Sequence, residues 1–297
     1  MDLLRTISDT REVLNARVRA ARSIGFVPTM GYLHEGHLSL VDRCRALTDV
    51  VVISIYVNPL QFGPNEDLDA YPRDLTRDLE VAEARGVDLV FAPTDDELYP
   101  SPPAVVVVPK RLADRLCGLS RPGHFEGVLT VVAKLFNIVQ PDVAVFGHKD
   151  FQQSVLVRHM VTNLDLPVRV EVAPTVRDAD GLALSSRNEY LSREGRSRAL
   201  GLSKGLADAV RAFRSGERDA GVLKRRARAA MGGDRAADRV EYVECVSPDE
   251  LEPVDVASEA SVLAVAAHVS GTRLIDNTEL GRPDPGLERL LQRGGGA

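Results

Sequence analysis

The first candidates for chemistry are two histidines three residues apart, His34 and His37, in a chain with only six histidines. Residues three apart lie on one side of a helix, so both imidazoles can face one ligand. One interpretation makes them capping or packing residues, and another makes them zinc ligands. Zinc is disfavoured because metalloprotease histidines are spaced four apart and no third ligand is obvious. The third interpretation, two donors that contact a phosphate group, is favoured by the concentration of histidines here.

The surrounding residues predict the elements that would position this pair. Residues 24–27 form a short apolar run, typical of a buried strand. Pro28 is expected to end that strand, because proline has no N–H for a sheet ladder. Gly31 and Gly36 permit a tight turn, and apolar residues at helical spacing follow. The start of that helix is a favourable place for an anion.

Two further segments carry groups suited to a phosphate chain. Lys149 follows a predicted strand and can offer a point positive charge, while the adjacent Asp150 could cap the next helix. Ser185, Ser186 and Arg187 combine two hydroxyls with a guanidinium, which can bind phosphate in a bidentate manner. Taken alone, this serine-arginine segment is also typical of a solvated turn.

Neutral amides form a third group of candidates. Asn58 and Gln61 follow a continuous β-branched run, and Gln153 lies just beyond Lys149. Amides can orient hydroxyls and a carboxylate without forming an ion pair that would weaken a nucleophile. The alternative interpretation is ordinary loop polarity.

The stretch 34–37, His-Glu-Gly-His, resembles the His-x-Gly-His signature of the nucleotidyltransferase superfamily. The longer string 28–38 is similar to the pantoate–β-alanine ligase family. Segments that match this family independently are 58–62, 67–73, 121–128, 147–153 and 184–188. The resemblance is dense over residues 24–190.

Two positions depart from the family pattern. His148 stands where the family has glutamate, although Lys149 and Asp150 are in place. Leu184 replaces a methionine of similar volume. The role of the missing glutamate side chain is therefore open, whereas the leucine is a mild change.

The resemblance implies ATP-dependent ligation of pantoate to β-alanine through an acyl-adenylate, with Mg²⁺ and a homodimer. For ATP it implies Pro28, Met30, Gly31, His34, His37, Gly147, Lys149, Asp150, Val176, Leu184, Ser185, Ser186 and Arg187. For pantoate and β-alanine it implies Asn58, Gln61, His124 and Gln153. His34, His37, Lys149 and Arg187 are the expected catalytic residues, and no metal ligand is assigned, since Asp78 aligns only loosely with an acidic family position.

The chemistry that is implied needs no general base. Pantoate's α-carboxyl group, with a pKa of about 3.5, is already ionised at neutral pH. The first step therefore depends on positioning and charge stabilisation. A closed, dry site would protect the mixed anhydride from water.

Two other functions fit parts of the sequence. An adenylyltransferase that releases a dinucleotide would share the 34–37 stretch, but the segments 58–62, 147–153 and 184–188 argue against it. A nucleotide-sensing module would need no pocket for a hydroxy acid, so Gln61 and Gln153 would have no role.

Composition limits the remaining possibilities. The 297 residues carry a net charge of −6 at pH 7, which argues against nucleic acid as the main partner. Three distant cysteines and no C-x-x-C fit a reducing cytoplasm. No signal peptide is recognised, and no apolar run approaches the ~20 residues of a membrane helix.

The order of predicted elements indicates a doubly wound, Rossmann-like α/β domain at 1–175 and a smaller α+β lid domain at 176–285. Strands are predicted at 24–27, 49–57, 87–91, 105–108, 143–146 and 168–172, with helices between them that include 110–116. In the second domain, helices are predicted at 193–213 and 221–231, and strands at 239–246, 261–269 and 273–276. Residues 286–297 are expected to form a flexible tail.

Overall fold

The computed structural model describes residues 1–20, 22–64, 66–232, 238–282 and 285–293. The chain forms two compact units. The first comprises Met1–Asp114, Gly118–His148 and Leu156–Ala173, and the second comprises Arg115–Cys117, Lys149–Val155 and Pro174–Ala297. This grouping differs from the predicted division at 175 because two short stretches, 115–117 and 149–155, group with the second unit.

The first unit is built on one six-stranded sheet in the order β1-β4-β3-β2-β5-β6, and every pairing described is parallel. Its strands are β1 (Asp2–Leu4), β2 (Ile24–Thr29), β3 (Val50–Ile55), β4 (Leu89–Phe91), β5 (Val143–Gly147) and β6 (Arg169–Ala173). Its helices are α1 (Ile7–Arg19), α2 (Glu35–Arg45), α3 (Leu75–Ala84), α4 (Asp95–Leu98) and α6 (His124–Val139). Helices α5 (Cys117–Ser120) and α7 (Phe151–Asn163) each have residues in both units. The predicted doubly wound parallel sheet is confirmed.

The strand order creates a topological switch point between β2 and β5. From β2 the chain builds outward through β3 and β4, and then returns to place β5 on the other side of β2. Ligands of such sheets bind beyond the carboxyl ends of the strands at this point. Gly25 pairs with Val143, and this register places Thr29 level with Gly147 at the carboxyl edge. The loops after β2 and β5 therefore begin side by side.

Pro28 does not end β2, contrary to expectation, but pairs with Ser54 of β3 inside the strand. Hydrogen bonds to β3 come from alternate residues, and Thr29 is one of them because its carbonyl accepts from Tyr56 N at 3.1 Å. The nitrogen of Pro28 therefore faces the β5 side. Because β5 pairs with β2 only as far as Phe26, the missing N–H costs no ladder bond.

The strand predicted at 105–108 and the helix predicted at 110–116 do not form. The valine run lies in neither a helix nor a strand, and Val105 is 85% exposed. Leu112 and Leu116 have φ angles of 74° and 48°, in the left-handed region that a right-handed helix cannot include. Apolar composition alone therefore misidentified the strand, and the backbone at Leu112 and Leu116 excludes the helix.

The second unit combines an antiparallel sheet with helices, as the predicted α+β class requires. Its strands β7 (Arg239–Val246), β8 (Val262–Val269) and β9 (Thr272–Glu279) pair in that order. Helices α8 (Arg193–Arg214) and α9 (Ala220–Ala230) contribute apolar faces to its core.

Residues 286–293, the first part of the segment predicted as a tail, lie in helix α10 (Pro285–Arg293). Leu287 is fully buried in the core of the second unit, and Leu290 and Leu291 pack against it. The spacing of these leucines is that of one helix face. Residues 294–297 lie outside the part of the chain that is described.

The state of the cysteines and the length of the helices can be compared with the expected reducing, aqueous environment. Cys44, Cys117 and Cys245 are all free and buried. Burial raises the pKa of the Cys44 and Cys245 thiols to about 11 each, so neither is a ready thiolate. Within the described ranges, no helix is both long and apolar enough to cross a membrane.

Candidate functional site

The loop after β2 is held in a strained, fixed path. Gly31 and Tyr32 both have positive φ angles, 83° and 49°. Asp78, buried on α3, accepts hydrogen bonds from Tyr32 N and Leu33 N at 2.7 Å each. A Cβ on Gly31 would lie 2.9 Å from the Asp78 carboxylate and from Ile55, so only glycine fits. Burial raises the pKa of Asp78, and the two N–H groups offset part of that rise.

His34 and His37 form a reciprocal cap at the start of α2. His34 Nδ1 accepts from Gly36 N at 3.1 Å, and His34 N donates to His37 Nδ1 at 3.4 Å. The two rings stack with centroids 4.0 Å apart. The capping interpretation is therefore confirmed. It is compatible with phosphate binding, because a neutral ring that accepts at Nδ1 carries its proton at Nε2, where it can donate.

Two of the three amides predicted for substrate binding, Asn58 and Gln61, meet at a helical turn, Pro59–Gln61, after β3, whereas Gln153 lies on α7 in the second unit. Asn58, 1% exposed, donates to Gly127 O at 3.1 Å and to Gln61 Oε1 at 3.3 Å. Gln61 Nε2 lies 2.9 Å from Met30 Sδ. The structure thus brings together Met30, Asn58 and Gln61, three residues from two predicted segments.

His124 supports this turn through a network that sequence reasoning did not assign. Its Nδ1 lies 2.8 Å from Gln61 O, which can only accept, so Nδ1 donates and Nε2 accepts from Arg121 at 3.0 Å. Arg121 also makes a bidentate pair with Glu66 at 2.6 and 2.5 Å. Burial would raise the pKa of Glu66, but Arg121, Gly63 N and His124 together lower it. The Arg-Pro-Gly-His match at 121–124 was the only signal for this network.

In the second unit, Lys149 lies in a helical turn, His148–Asp150, just before α7. Its Nζ is 3.4 Å from Asp150 Oδ1. Asn277 of β9 donates to the Lys149 carbonyl at 2.9 Å. The next turn is fixed by Gln152, which accepts from Cys117 N at 2.9 Å and donates to Arg115 O at 2.8 Å. The backbone around Lys149 is thus held from two directions.

The segment 176–188 forms a hairpin followed by a helical turn. Leu184 N donates to Val176 O at 3.0 Å, which brings together two residues predicted to bind ATP. Ser185 caps the turn Ser186–Tyr190 by accepting from Arg187 N at 3.3 Å. Ser186 is 5% exposed. The segment is therefore an ordered element rather than a solvated turn.

Metal ligands remain unassigned by the geometry. The described residues include no group of three or more His, Cys, Asp and Glu side chains that could hold a metal ion. Asp78 is occupied by two backbone N–H groups, whereas Asp150 keeps 47% of its side chain exposed. Asp150 is therefore better suited than Asp78 to reach a cation.

Comparison with known proteins gives one consistent result. The family model for pantoate-beta-alanine ligase matches residues 2–279. A pantothenate synthetase from Pelotomaculum thermopropionicum is 52% identical over 277 residues, which cover 93% of this chain and 98% of that relative.

Solved structures agree with this match. Pantothenate synthetase from Thermus thermophilus superimposes with a TM-score of 0.89 at 44% identity, covering 95% of this chain and all of that one. Pantoate-beta-alanine ligase from Francisella tularensis, complexed with beta-gamma ATP and beta-alanine, has a TM-score of 0.77 at 31% identity. It covers 95% of this chain and 98% of that one.

Proposed function

This chain belongs to the pantoate–β-alanine ligase family, and from that membership we propose how its own residues carry out the reaction. The enzyme condenses pantoate with β-alanine in an ATP-dependent reaction through a pantoyl-adenylate, with release of AMP and pyrophosphate. The observation that carries this conclusion is the match across residues 2–279, supported by relatives about half identical over nearly their whole length.

In the first step, the pantoate carboxylate attacks the α-phosphorus of ATP and pyrophosphate leaves. His34 and His37 are proposed to donate from Nε2 to the phosphate oxygens, because their Nδ1 atoms already accept backbone hydrogen bonds. Lys149 and Arg187 would supply positive charge, with hydroxyl donors from Ser185 and Ser186. The remaining ATP contacts are assigned to Pro28, Met30, Gly31, Gly147, Asp150, Val176 and Leu184.

Pantoate is proposed to bind the neutral amides Gln61 and Gln153. Gln61 is held by Asn58 at one end of its amide and by Met30 at the other, so its orientation is fixed before substrate arrives. His124 is proposed to act through Gln61, since its two ring nitrogens are engaged by the Gln61 carbonyl and Arg121. In the second step, the neutral amine of β-alanine attacks the anhydride carbonyl, loses a proton, and AMP leaves.

Mg²⁺ is proposed as the cofactor that neutralises charge on the phosphates when bound. Magnesium sites in nucleotide-dependent enzymes generally need only one or two protein carboxylates, because waters and substrate oxygens supply the other ligands. Asp150 fits such a role by its exposed carboxylate, and Asp78 does not, because its oxygens accept Tyr32 N and Leu33 N.

A homodimer and a cytoplasmic location are proposed as well. In the first unit, Val105 and Val108 are 85% and 59% exposed on a segment outside the sheet, and we propose that a second copy of the chain covers them. The three free, buried thiols are consistent with a reducing compartment. A shift from dimer to monomer mass in light scattering for Val105→Asp with Val108→Asp would support the assembly, and an unchanged mass would refute this interface.

The reaction itself is tested by mixing the protein with ATP, pantoate and β-alanine and following AMP. The ligase forms AMP and pantothenate, and omission of β-alanine stops turnover. A dinucleotide product would instead identify an adenylyltransferase, and ATP binding without turnover would identify a nucleotide sensor.

A further inference from the structure

A buried ion pair lies in the second unit, between the 176–184 hairpin and β9. Arg177 and Asp276 have side chains only 0% and 2% exposed. The guanidinium makes two hydrogen bonds to the carboxylate, at 2.5 and 2.8 Å. A buried ion pair must offset the loss of water around both charges, and it is weak evidence for stability. Its contacts suggest a different use.

Arg177 ties the 176–184 hairpin to β9. The same guanidinium donates to Gly181 O at 3.2 Å, within the hairpin, and to Asn277 O at 3.4 Å, on the strand. Its aliphatic stem packs on the first turn of α10, where a Cβ on Gly286 would come within 2.6 Å of Arg177 Cδ. The hydrogen bonds of Arg177 therefore fix the position of the hairpin relative to β9.

Asn277 connects the Arg177–Asp276 pair to the main chain of Lys149. Its backbone N donates to Asp276 Oδ1 at 2.8 Å, and its side-chain Nδ2 donates to Lys149 O at 2.9 Å. Asn277 is 3% exposed. A chain of contacts thus runs from the hairpin through Arg177, Asp276 and Asn277 to the main chain of Lys149, all within the second unit.

We propose that Asn277 is a positioning residue that sets the place of the Lys149 ammonium through the Lys149 carbonyl. A lysine is a point charge on a flexible four-carbon stem, so the place of its main chain determines where the charge can reach. A misplacement of about 1 Å far from the chemistry can cost about 10²-fold in rate. The inference rests on the proposed role of Lys149 in binding the triphosphate.

The test is a double-mutant cycle on pantoate-dependent exchange of labelled pyrophosphate into ATP, which measures the first step alone. Asn277→Ala should lower the exchange rate about tenfold. In a Lys149→Ala background, the same substitution should change it less than about twofold, because a residue that acts through another loses its effect with it. A general loss of folding would instead lower both backgrounds alike.

Control variants keep the result interpretable. Asn137→Ala removes a bond of the same chemical type at an exposed position, from an amide to Ala133 O at 2.8 Å on α6, and should leave exchange unchanged. Should Asn277→Ala fail to fold, as judged by thermal unfolding, Asn277→Leu, which is close to asparagine in shape but has no donor for Lys149 O, enters the same cycle.

The failures of the two proposals are distinguishable. No pantoate-dependent exchange by the wild type would overturn the proposed function and this inference with it. An active wild type in which Asn277→Ala has no effect, or an equal effect with and without Lys149, would overturn the inference alone. Normal exchange by Lys149→Ala would also overturn the inference alone, because Lys149 would then have no role for Asn277 to act through.

Discussion

His34 and His37 do two jobs with different nitrogens of each ring. The Nδ1 atoms complete the cap of α2, and this assignment leaves the proton on Nε2 in each neutral ring. The cap therefore selects the tautomer that a phosphate oxygen requires. Sequence spacing indicated both roles as alternatives, and only the geometry shows that the cap does not consume the donor.

The double role makes a prediction for His37. His37→Ala should lower adenylation about 10²–10³-fold, as for loss of one oxyanion donor, and should also cost about 1 kcal/mol of cap stability. His37→Glu keeps an acceptor for His34 N but offers no donor, so it should restore unfolding stability and not the rate. Near-normal pyrophosphate exchange by His37→Glu would contradict the assigned role.

The amides make a separate prediction. Gln61→Ala and Gln153→Ala should raise the KM for pantoate while ATP affinity is largely kept, since no phosphate contact is assigned to either residue. Steady-state kinetics and calorimetric titration with ATP measure the two effects. Loss of ATP affinity with an unchanged pantoate KM would reverse the assignment.

Glu66 makes a prediction about pH. Its folded pKa is lowered, so its contribution to stability is full above its unfolded pKa of about 4.3 and is lost as pH falls through the folded value. The stability difference between the wild type and Glu66→Gln should therefore shrink as pH falls below about 4.3. Urea unfolding across this range measures it, and a difference independent of pH would show that the Arg121 pair is not the cause.

At the scale of elements, sequence patterns succeeded where burial and composition agree. The run at β3 is apolar from Val50 to Ile53, where each residue is at most 1% exposed, and the strand was identified correctly. The valines at 105–108 have the same composition but no strand beside them. Helix α10 was not predicted, although Leu287, Leu290 and Leu291 have the spacing of one helix face. The glycine-rich end of the sequence instead favoured a flexible tail.

Helix α10 makes a prediction about stability. Leu287 is fully buried, so Leu287→Ala should reduce the free energy of unfolding by about 2–5 kcal/mol. Leu119→Ala is the matched control, because Leu119 is 74% exposed and should have almost no effect. Equal urea midpoints for the two variants would show that α10 is not part of the core.

At the scale of the whole molecule, the alternation of strands and helices predicted the sheet but not how the chain is grouped. Lys149 follows β5 in sequence, yet the stretch 149–155 belongs to the second unit with the 176–188 segment. The cause is a set of side-chain bonds from distant residues, such as Asn277 to Lys149 O. No local sequence pattern encodes such a bond. The hydrogen-bond partners of Lys149, Gln61 and His124 could therefore be identified only from the structure.

The most direct test of the acyl-adenylate follows an oxygen atom. Pantoate labelled with ¹⁸O in its carboxylate is turned over with ATP and β-alanine, and the AMP is analysed by mass spectrometry. Attack of the carboxylate on the α-phosphorus, followed by cleavage of the acyl C–O bond by the amine, must leave one labelled oxygen in AMP. We expect one ¹⁸O per AMP formed. Unlabelled AMP, or label in inorganic phosphate, would contradict the mechanism.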